Sequence, residues 1–153
     1  MDIGDEVPDF QLPDQDGTMR SLSELLAGGP VVLFFYPAAM TAGCTKEACH
    51  FRDLAKEFAE AGVQRVGISR DSVSRQKQFS DKHTFDYPLL SDVDGEVARI
   101  FGVQRDGVLG KLGAAVKRHT FAIDTDRKVV AAIRSEVNMD LHADEALKAF
   151  ART

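Results

Sequence analysis

Two cysteines five residues apart, Cys44 and Cys49, are the residues whose chemistry and spacing point to a reaction. A run of β-branched and aromatic residues from Val31 to Tyr36 predicts a buried strand, and Thr41 then opens an amphipathic helix. The strand therefore delivers Cys44 to the first turn of a helix. Unpaired N–H groups and the positive end of the helix dipole lie there, and both favour a thiolate over a thiol. Cys44 is the candidate nucleophile.

The position of Cys49 on this helix follows from a rotation of about 100° per residue. Cys44 heads an apolar stripe that continues through Ala48, Phe51 and Phe58, whereas Cys49 falls about 140° away on the polar, outward face. In an ideal helix the Cα atoms of the two cysteines are about 8.7 Å apart, and a disulfide needs less than about 7 Å. The two cysteines can therefore bond to each other only if the first turns of the helix unwind.

A specific sequence signature covers this helix start. Pro37, Thr41 and Cys44 form the pattern Pro-x-x-x-Thr-x-x-Cys, which resembles the signature of the peroxiredoxins. The run GCTKEACHFRD resembles the PrxQ branch, also called bacterioferritin comigratory protein, and FDYPLLSD and RHTFAID extend the resemblance over nearly the whole chain. The resemblance implies a thioredoxin-like fold and a thiol peroxidase in which Cys44 is peroxidatic and Cys49 resolving. It also implies an intramolecular disulfide and a thioredoxin-type reductant.

The remaining candidate site residues would serve the attack on a hydroperoxide. Charge accumulates on the departing oxygen while the thiolate attacks the other, so the site needs hydrogen-bond donors and positive charge. The Thr41 hydroxyl is expected to donate to sulfur and peroxide, or to cap the helix, or both. Pro37 is expected to shield the thiolate from water. Arg118 matches the family position whose guanidinium stabilises the thiolate and polarises the peroxide.

Glu47, three residues after Cys44, has two interpretations. It matches a family position and would brace an arginine such as Arg118, or it is a solvated acid that favours the helix dipole. The loop before the helix departs from the family pattern. Ala38, Ala39 and Met40 stand where many PrxQ sequences carry charged residues, so the predicted hydroperoxide substrates include organic hydroperoxides as well as hydrogen peroxide.

Other functions remain open at this point. A sulfenic acid on Cys44 is the expected first product, and Cys49 would convert it into a disulfide. One alternative is a peroxidase that works with Cys44 alone and an external thiol. Another is a non-catalytic redox sensor or holdase that exposes apolar surface on oxidation. A thioredoxin-type oxidoreductase is disfavoured because its redox motif is C-x-x-C.

No metal or other cofactor is expected. Cys44, Cys49 and His50 project at widely different angles from the predicted helix, whereas zinc sites favour closely spaced cysteine pairs. The other histidines are scattered along the sequence and are expected to face solvent or to lie in loops: His83, His119 and His142.

Alternating strands and helices predict an α/β fold, and 153 residues suit a single domain over residues 1–153. The helix that carries Cys44 is predicted to end near Ala61. Residues 118–124 and 128–134 form a predicted hairpin, which makes the central sheet mixed, with helices on both faces. Asn138 or Asp140 is expected to cap a final helix. The glycines and small residues between Gly102 and Lys117 predict a mobile loop.

Composition restricts the class of protein. A net charge of −5 argues against a nucleic-acid surface, and no apolar run approaches the roughly 20 residues of a membrane span. The acidic start, MDIGDEVPDF, lacks the pattern of an export signal, so a cytoplasmic protein is expected. Because both reacting cysteines lie in one chain, a monomer is chemically sufficient, and a dimer is also compatible with the sequence.

Overall fold

The computed structural model describes residues 1–105 and 116–151, so most of the predicted Gly102–Lys117 loop lies outside the described residues. The strands are β1 (Gln11–Pro13), β2 (Met19–Ser21), β3 (Val31–Phe35), β4 (Gln64–Ser69), β5 (Leu89–Ser91), β6 (His119–Ile123) and β7 (Val129–Arg134). The helices are α1 (Leu22–Leu26), α2 (Ala42–Asp53), α3 (Ala55–Ala61), α4 (Val73–His83), α5 (Glu96–Phe101) and α6 (Met139–Ala151).

The central sheet has five strands in the order β5-β4-β3-β6-β7. Strands β3, β4 and β5 run parallel, and β6 pairs antiparallel with both β3 and β7. The predicted mixed sheet and its closing hairpin are therefore confirmed. A separate antiparallel pair, β1 and β2, is joined through a turn at residues 14–17, where Gly17 has a φ of 79°.

Strand β3 is buried along its whole length, and its side chains alternate between two apolar clusters. Val31, Leu33 and Phe35 pack in a cluster that also contains residues of α1 and α5. Val32 and Phe34 face the opposite cluster, to which α2, α3, α4 and α6 contribute. Helices therefore cover both faces of the sheet, as the sequence predicts. Cys44 belongs to the second cluster.

The prediction of one continuous helix that opens at Thr41 and ends near Ala61 is wrong, because the helix breaks at Leu54, whose φ and ψ are −94° and 19°. Arg65 Nη1 donates to the carbonyl of Phe51 at 3.0 Å, an acceptor that a continuous helix would offer to the N–H of Ala55. The carbonyl is thus satisfied from β4, and the chain restarts as α3. Among the described residues, no helix is long and apolar enough to cross a bilayer.

Candidate active site

Cys44 is the third residue of α2, and its side chain is only 1% exposed. Thr41 precedes the helix in extended conformation, and the first N–H to donate backward is that of Thr45, to the Thr41 carbonyl at 2.9 Å. The N–H groups of the first turn therefore have no partner in the helix, and the sulfur lies beside them. This is the setting in which a thiolate is stabilised by the helix dipole.

Arg118 reaches the sulfur from the residue that precedes the neighbouring strand, β6. It lies immediately before β6, which pairs with β3, and its backbone N–H donates to Glu136 at 3.1 Å. Nη2 donates to Cys44 Sγ at 3.4 Å, and Nη1 donates to Glu47 Oε1 at 3.0 Å. One almost fully buried guanidinium therefore joins the thiol and a carboxyl, using the two arms of its fork.

Glu47 is fully buried, which excludes its interpretation as a solvated acid. Besides the bond from Arg118 to Oε1, its second oxygen has no hydrogen-bond partner among the described residues, and His142 Nδ1 lies 3.6 Å from it. Burial raises the pKa of Glu47 to about 8, against the opposing charge of Arg118. A carboxyl that binds a proton near neutral pH thus lies next to the arginine that contacts Cys44.

His142 is fully buried on α6 next to Glu47, so the expectation that it faces solvent or lies in a loop is wrong. Its Nε2 lies 2.7 Å from the carbonyl of Ser135, which can only accept, so Nε2 is the donor. Nδ1 then accepts from the Thr120 hydroxyl at 2.8 Å. Burial lowers the pKa of His142, which favours this neutral form. The tautomer is therefore assigned by its partners.

The loop between β3 and α2 is fixed by Asp71, which lies between β4 and α4, and by Arg75 in the first turn of α4. The N–H of Ala39 donates to Asp71 Oδ2 at 2.7 Å, and its carbonyl accepts from Arg75 Nη2 at 3.3 Å. Ser69 also donates to Asp71 Oδ2, at 2.6 Å. Met40 follows with a φ of 67°, a left-handed conformation that costs a non-glycine residue about 1–2 kcal/mol. The bonds to Ala39 help to hold the chain in this conformation.

Two predicted residues lie on the same loop. Pro37 is half-buried and lies two residues after the end of β3, the strand that leads to the site. The hydroxyl of Thr41 donates to the carbonyl of Ala38 at 2.7 Å and makes no capping bond to the helix, so the expected side-chain cap is not formed. Its oxygen retains acceptor capacity.

Gly43 allows the close approach of groups to the helix start. A Cβ at this position would lie 3.2 Å from Arg118 Nη2 and 3.0 Å from Cε of Met139 on α6. The absence of a side chain therefore lets Arg118 reach over the first turn to the sulfur.

Cys49 lies five residues further along the same unbroken helix. It is half-buried and packs against the second apolar cluster, so the expected position on the polar, outward face is correct only in part. Burial raises the pKa of the Cys49 thiol. Within residues 1–105 and 116–151, no group of three or more His, Cys, Asp or Glu side chains is arranged to hold a metal ion.

Comparison with known proteins identifies the family. The model of the AhpC/TSA family matches residues 3–132. A protein of Mycobacterium tuberculosis that is named as a peroxiredoxin is 67% identical over 147 residues, which are 96% of this chain and 94% of that protein. The chain is a peroxiredoxin.

Solved structures place this peroxiredoxin near the bacterioferritin comigratory proteins. Peroxidoxin BcpB of Mycobacterium tuberculosis superimposes with a TM-score of 0.94 and 62% identity, covering 99% of this chain and 97% of that one. The bacterioferritin comigratory protein of Xanthomonas campestris gives a TM-score of 0.83 and 35% identity, covering 94% and 90%. The thioredoxin-like fold and the PrxQ resemblance are therefore confirmed.

Of the predicted site residues of this peroxiredoxin, the structure brings Cys44, Glu47 and Arg118 into direct contact. Pro37 and Thr41 lie on the adjoining loop, and Cys49 remains apart on the helix. Sequence reasoning missed four residues that surround these groups, namely Gly43, Asp71, Thr120 and His142. Gly43 was the one that the sequence could have indicated. A glycine in a helical turn lowers the stability of the helix by about 1 kcal/mol relative to alanine, so its presence points to a packing role.

Proposed function

We propose that this peroxiredoxin reduces hydroperoxides with Cys44 as the peroxidatic cysteine and Cys49 as the resolving cysteine. The observation that carries the proposal is the 3.4 Å contact between Arg118 Nη2 and the buried Cys44 Sγ at the start of α2. The negative charge of a thiolate there is balanced by the permanent positive charge of Arg118 and by the free N–H groups of the first turn. The anion is therefore stabilised without a metal.

In the first step the Cys44 thiolate attacks one oxygen of the hydroperoxide. The S–O bond forms as the O–O bond breaks, and the departing oxygen takes the electron pair and a proton to leave as an alcohol or water. Cys44 becomes a sulfenic acid. The Arg118 fork and the first-turn N–H groups are positioned to donate to the sulfur and to the charge on the departing oxygen. Pro37 and Thr41 would border the peroxide on the loop side.

In the second step the Cys49 sulfur attacks the sulfenic sulfur of Cys44. The S–S bond forms, the S–O bond breaks, and the hydroxyl leaves as water with the proton of the Cys49 thiol. In an intact helix the two Cα atoms are about 8.7 Å apart, so this step needs local unwinding. Unwinding would also return Cys49 to water and so remove the burial that raises its pKa. A larger fraction of Cys49 would then be the nucleophilic thiolate.

The cycle closes when an external dithiol of the thioredoxin type supplies two electrons and restores both thiols. The half-buried Ala38 and Met40 beside the site support organic hydroperoxides as substrates along with hydrogen peroxide. The Xanthomonas campestris relative was solved to study its alkyl peroxide reduction activity, which agrees with this substrate class. Every described group of the site comes from one chain, so a monomer suffices. We also infer a cytoplasmic enzyme, since the cytoplasm keeps thiols reduced.

The test combines intact-mass and peptide mapping after one equivalent of hydroperoxide with steady-state turnover in the presence of thioredoxin and its reductase. Wild type is expected to lose both free thiols, to form one Cys44–Cys49 bond per chain and to turn over repeatedly. Cys44→Ser should not consume peroxide. Cys49→Ser should be oxidised once and then stall or proceed to the sulfinic acid.

Each alternative gives a different result. A redox sensor would oxidise about once per molecule and show no turnover with the reductant system. A peroxidase that depends on Cys44 alone would leave Cys49 free and would turn over equally well as Cys49→Ser when a small thiol is supplied. Normal peroxide consumption by Cys44→Ser would refute the proposed chemistry altogether.

A further inference from the structure

The second half of α2, which carries Cys49, is held by side chains from outside the helix. Tyr87 Oη donates to the carbonyl of Ala48 at 2.7 Å, from the segment that leads into β5. Arg65 on β4 donates to the carbonyl of Phe51 at 3.0 Å. Both acceptors are backbone atoms of the helix itself, so these bonds exist only while this part of α2 is wound.

Tyr87 is fixed independently of this bond. Its side chain is 5% exposed, its ring stacks on Phe85 with a centroid distance of 5.4 Å, and it meets Phe34 edge-on at 5.8 Å. The guanidinium of Arg65 lies 5.0 Å from the ring centroid. Burial raises the pKa of Tyr87 well above its usual range, so the hydroxyl remains a donor at all working pH values.

The acceptor of this bond belongs to the peptide unit that joins Ala48 to Cys49. In a regular helix the Ala48 carbonyl also accepts from the N–H of Arg52, so the Tyr87 hydroxyl uses its second lone pair. Cys49 points about 140° away from Cys44 around the helix axis, and this peptide unit must turn for the two sulfurs to meet. A turn of the peptide removes the carbonyl from Tyr87 and leaves a buried hydroxyl without its partner.

We propose that Tyr87 is a positioning residue for disulfide formation: its hydroxyl holds the Ala48–Cys49 peptide in the helix and thereby limits how often Cys49 reaches Cys44. This inference rests on the proposed function, and it adds a residue outside the cysteine motif that governs the resolving step. The sulfenic acid of Cys44 either meets Cys49, releasing water as the S–S bond forms, or meets a second hydroperoxide and becomes a sulfinic acid. Tyr87 would set the balance between these fates.

Tyr87→Phe tests the inference because it removes one hydroxyl and leaves the packed ring. The rate constant for oxidation of Cys44, followed by rapid quench and mass spectrometry, is expected to be unchanged. The rate constant for disulfide formation should rise by about 2-fold to 12-fold, the change that one hydrogen bond makes in an equilibrium constant. The sulfinic fraction at a fixed excess of peroxide should fall accordingly, and amide exchange in the reduced protein should accelerate within α2.

Tyr36→Phe is the matched control, since it also removes a buried tyrosine hydroxyl. Tyr36 donates to Gln76 on α4 and makes no hydrogen bond to α2 in the described structure. It should leave the resolution rate and the exchange of α2 unchanged. Equal resolution rates in wild type and Tyr87→Phe, with normal disulfide formation in both, would overturn this inference alone. If wild type formed no Cys44–Cys49 disulfide, the proposed resolving step would fall together with it.

Discussion

The buried carboxyl of Glu47 should make the stability of the protein depend on pH in a way that one substitution can isolate. Glu47→Gln removes the titration but keeps the shape. The amide oxygen can still accept from Arg118 Nη1, which lies 3.0 Å from Oε1 in the wild type. The substitution therefore replaces a buried group that can ionise by a neutral group of the same shape.

The magnitude follows from the pKa, which burial raises from 4.5 to about 8. Below about pH 4.5 both folded and unfolded chains hold the proton, so the ionisation of Glu47 takes nothing from the free energy of unfolding. Between there and about pH 8 only the unfolded chain releases the proton, so the wild type loses stability at up to about 1.4 kcal/mol per pH unit. The total is on the order of 5 kcal/mol. The Glu47→Gln variant does not incur this loss.

The assay is urea unfolding of the reduced proteins at intervals from about pH 5 to about pH 9, with the unfolding free energy extrapolated to water. The variant should gain on the wild type steadily up to about pH 8, and the difference should then level off. Glu57→Gln, the same chemical change on an exposed position of α3, supplies the baseline. A difference between Glu47→Gln and wild type that stays constant from pH 5 to pH 8 would refute the reasoning.

Two further substitutions test the geometry around the sulfur. Arg118→Lys keeps the charge but loses the two-armed guanidinium that contacts both Cys44 and Glu47. The rate constant for oxidation of Cys44, measured by competition kinetics with mass spectrometry, is therefore expected to fall by about 100-fold. A loss of less than about threefold would mean that charge alone matters. Gly43→Ala would place its Cβ 3.2 Å from Arg118 Nη2, so oxidation should slow about 10-fold even though alanine favours the helix by up to about 1 kcal/mol. An unchanged rate in this variant would show that Arg118 tolerates displacement.

Local patterns in the sequence were sufficient for much of the fold. The continuous apolar run at Val31–Phe35 forms the buried central strand, and Ser21 and Ser72 cap the helices that follow them. Asn138 Oδ1 accepts from the N–H of Leu141 and so caps α6, which settles the choice between Asn138 and Asp140. These features depend on residues within one turn of each other, so periodicity and capping chemistry capture them.

The features that the sequence did not indicate depend on distant residues. The break at Leu54 involves Arg65, which competes for a helix carbonyl from the next strand. The burial of Glu47 and His142 depends on α6 packing against α2, and neither charge nor spacing along one helix shows which face another helix will cover. Tertiary contacts therefore decided between the two interpretations of Glu47 and overturned the one for His142.

The reactive sulfur and its arginine are 74 positions apart in the chain, and they meet only because β6 pairs with β3. A polypeptide still emerging from the ribosome therefore carries Cys44 well before Arg118 has been synthesised. During that interval the thiol lacks its cationic neighbour and the buried wall of α6, and it has the reactivity of an ordinary cysteine. On the proposed function, the reactivity of Cys44 toward peroxide is therefore acquired only when the chain from Arg118 onward has folded against α2.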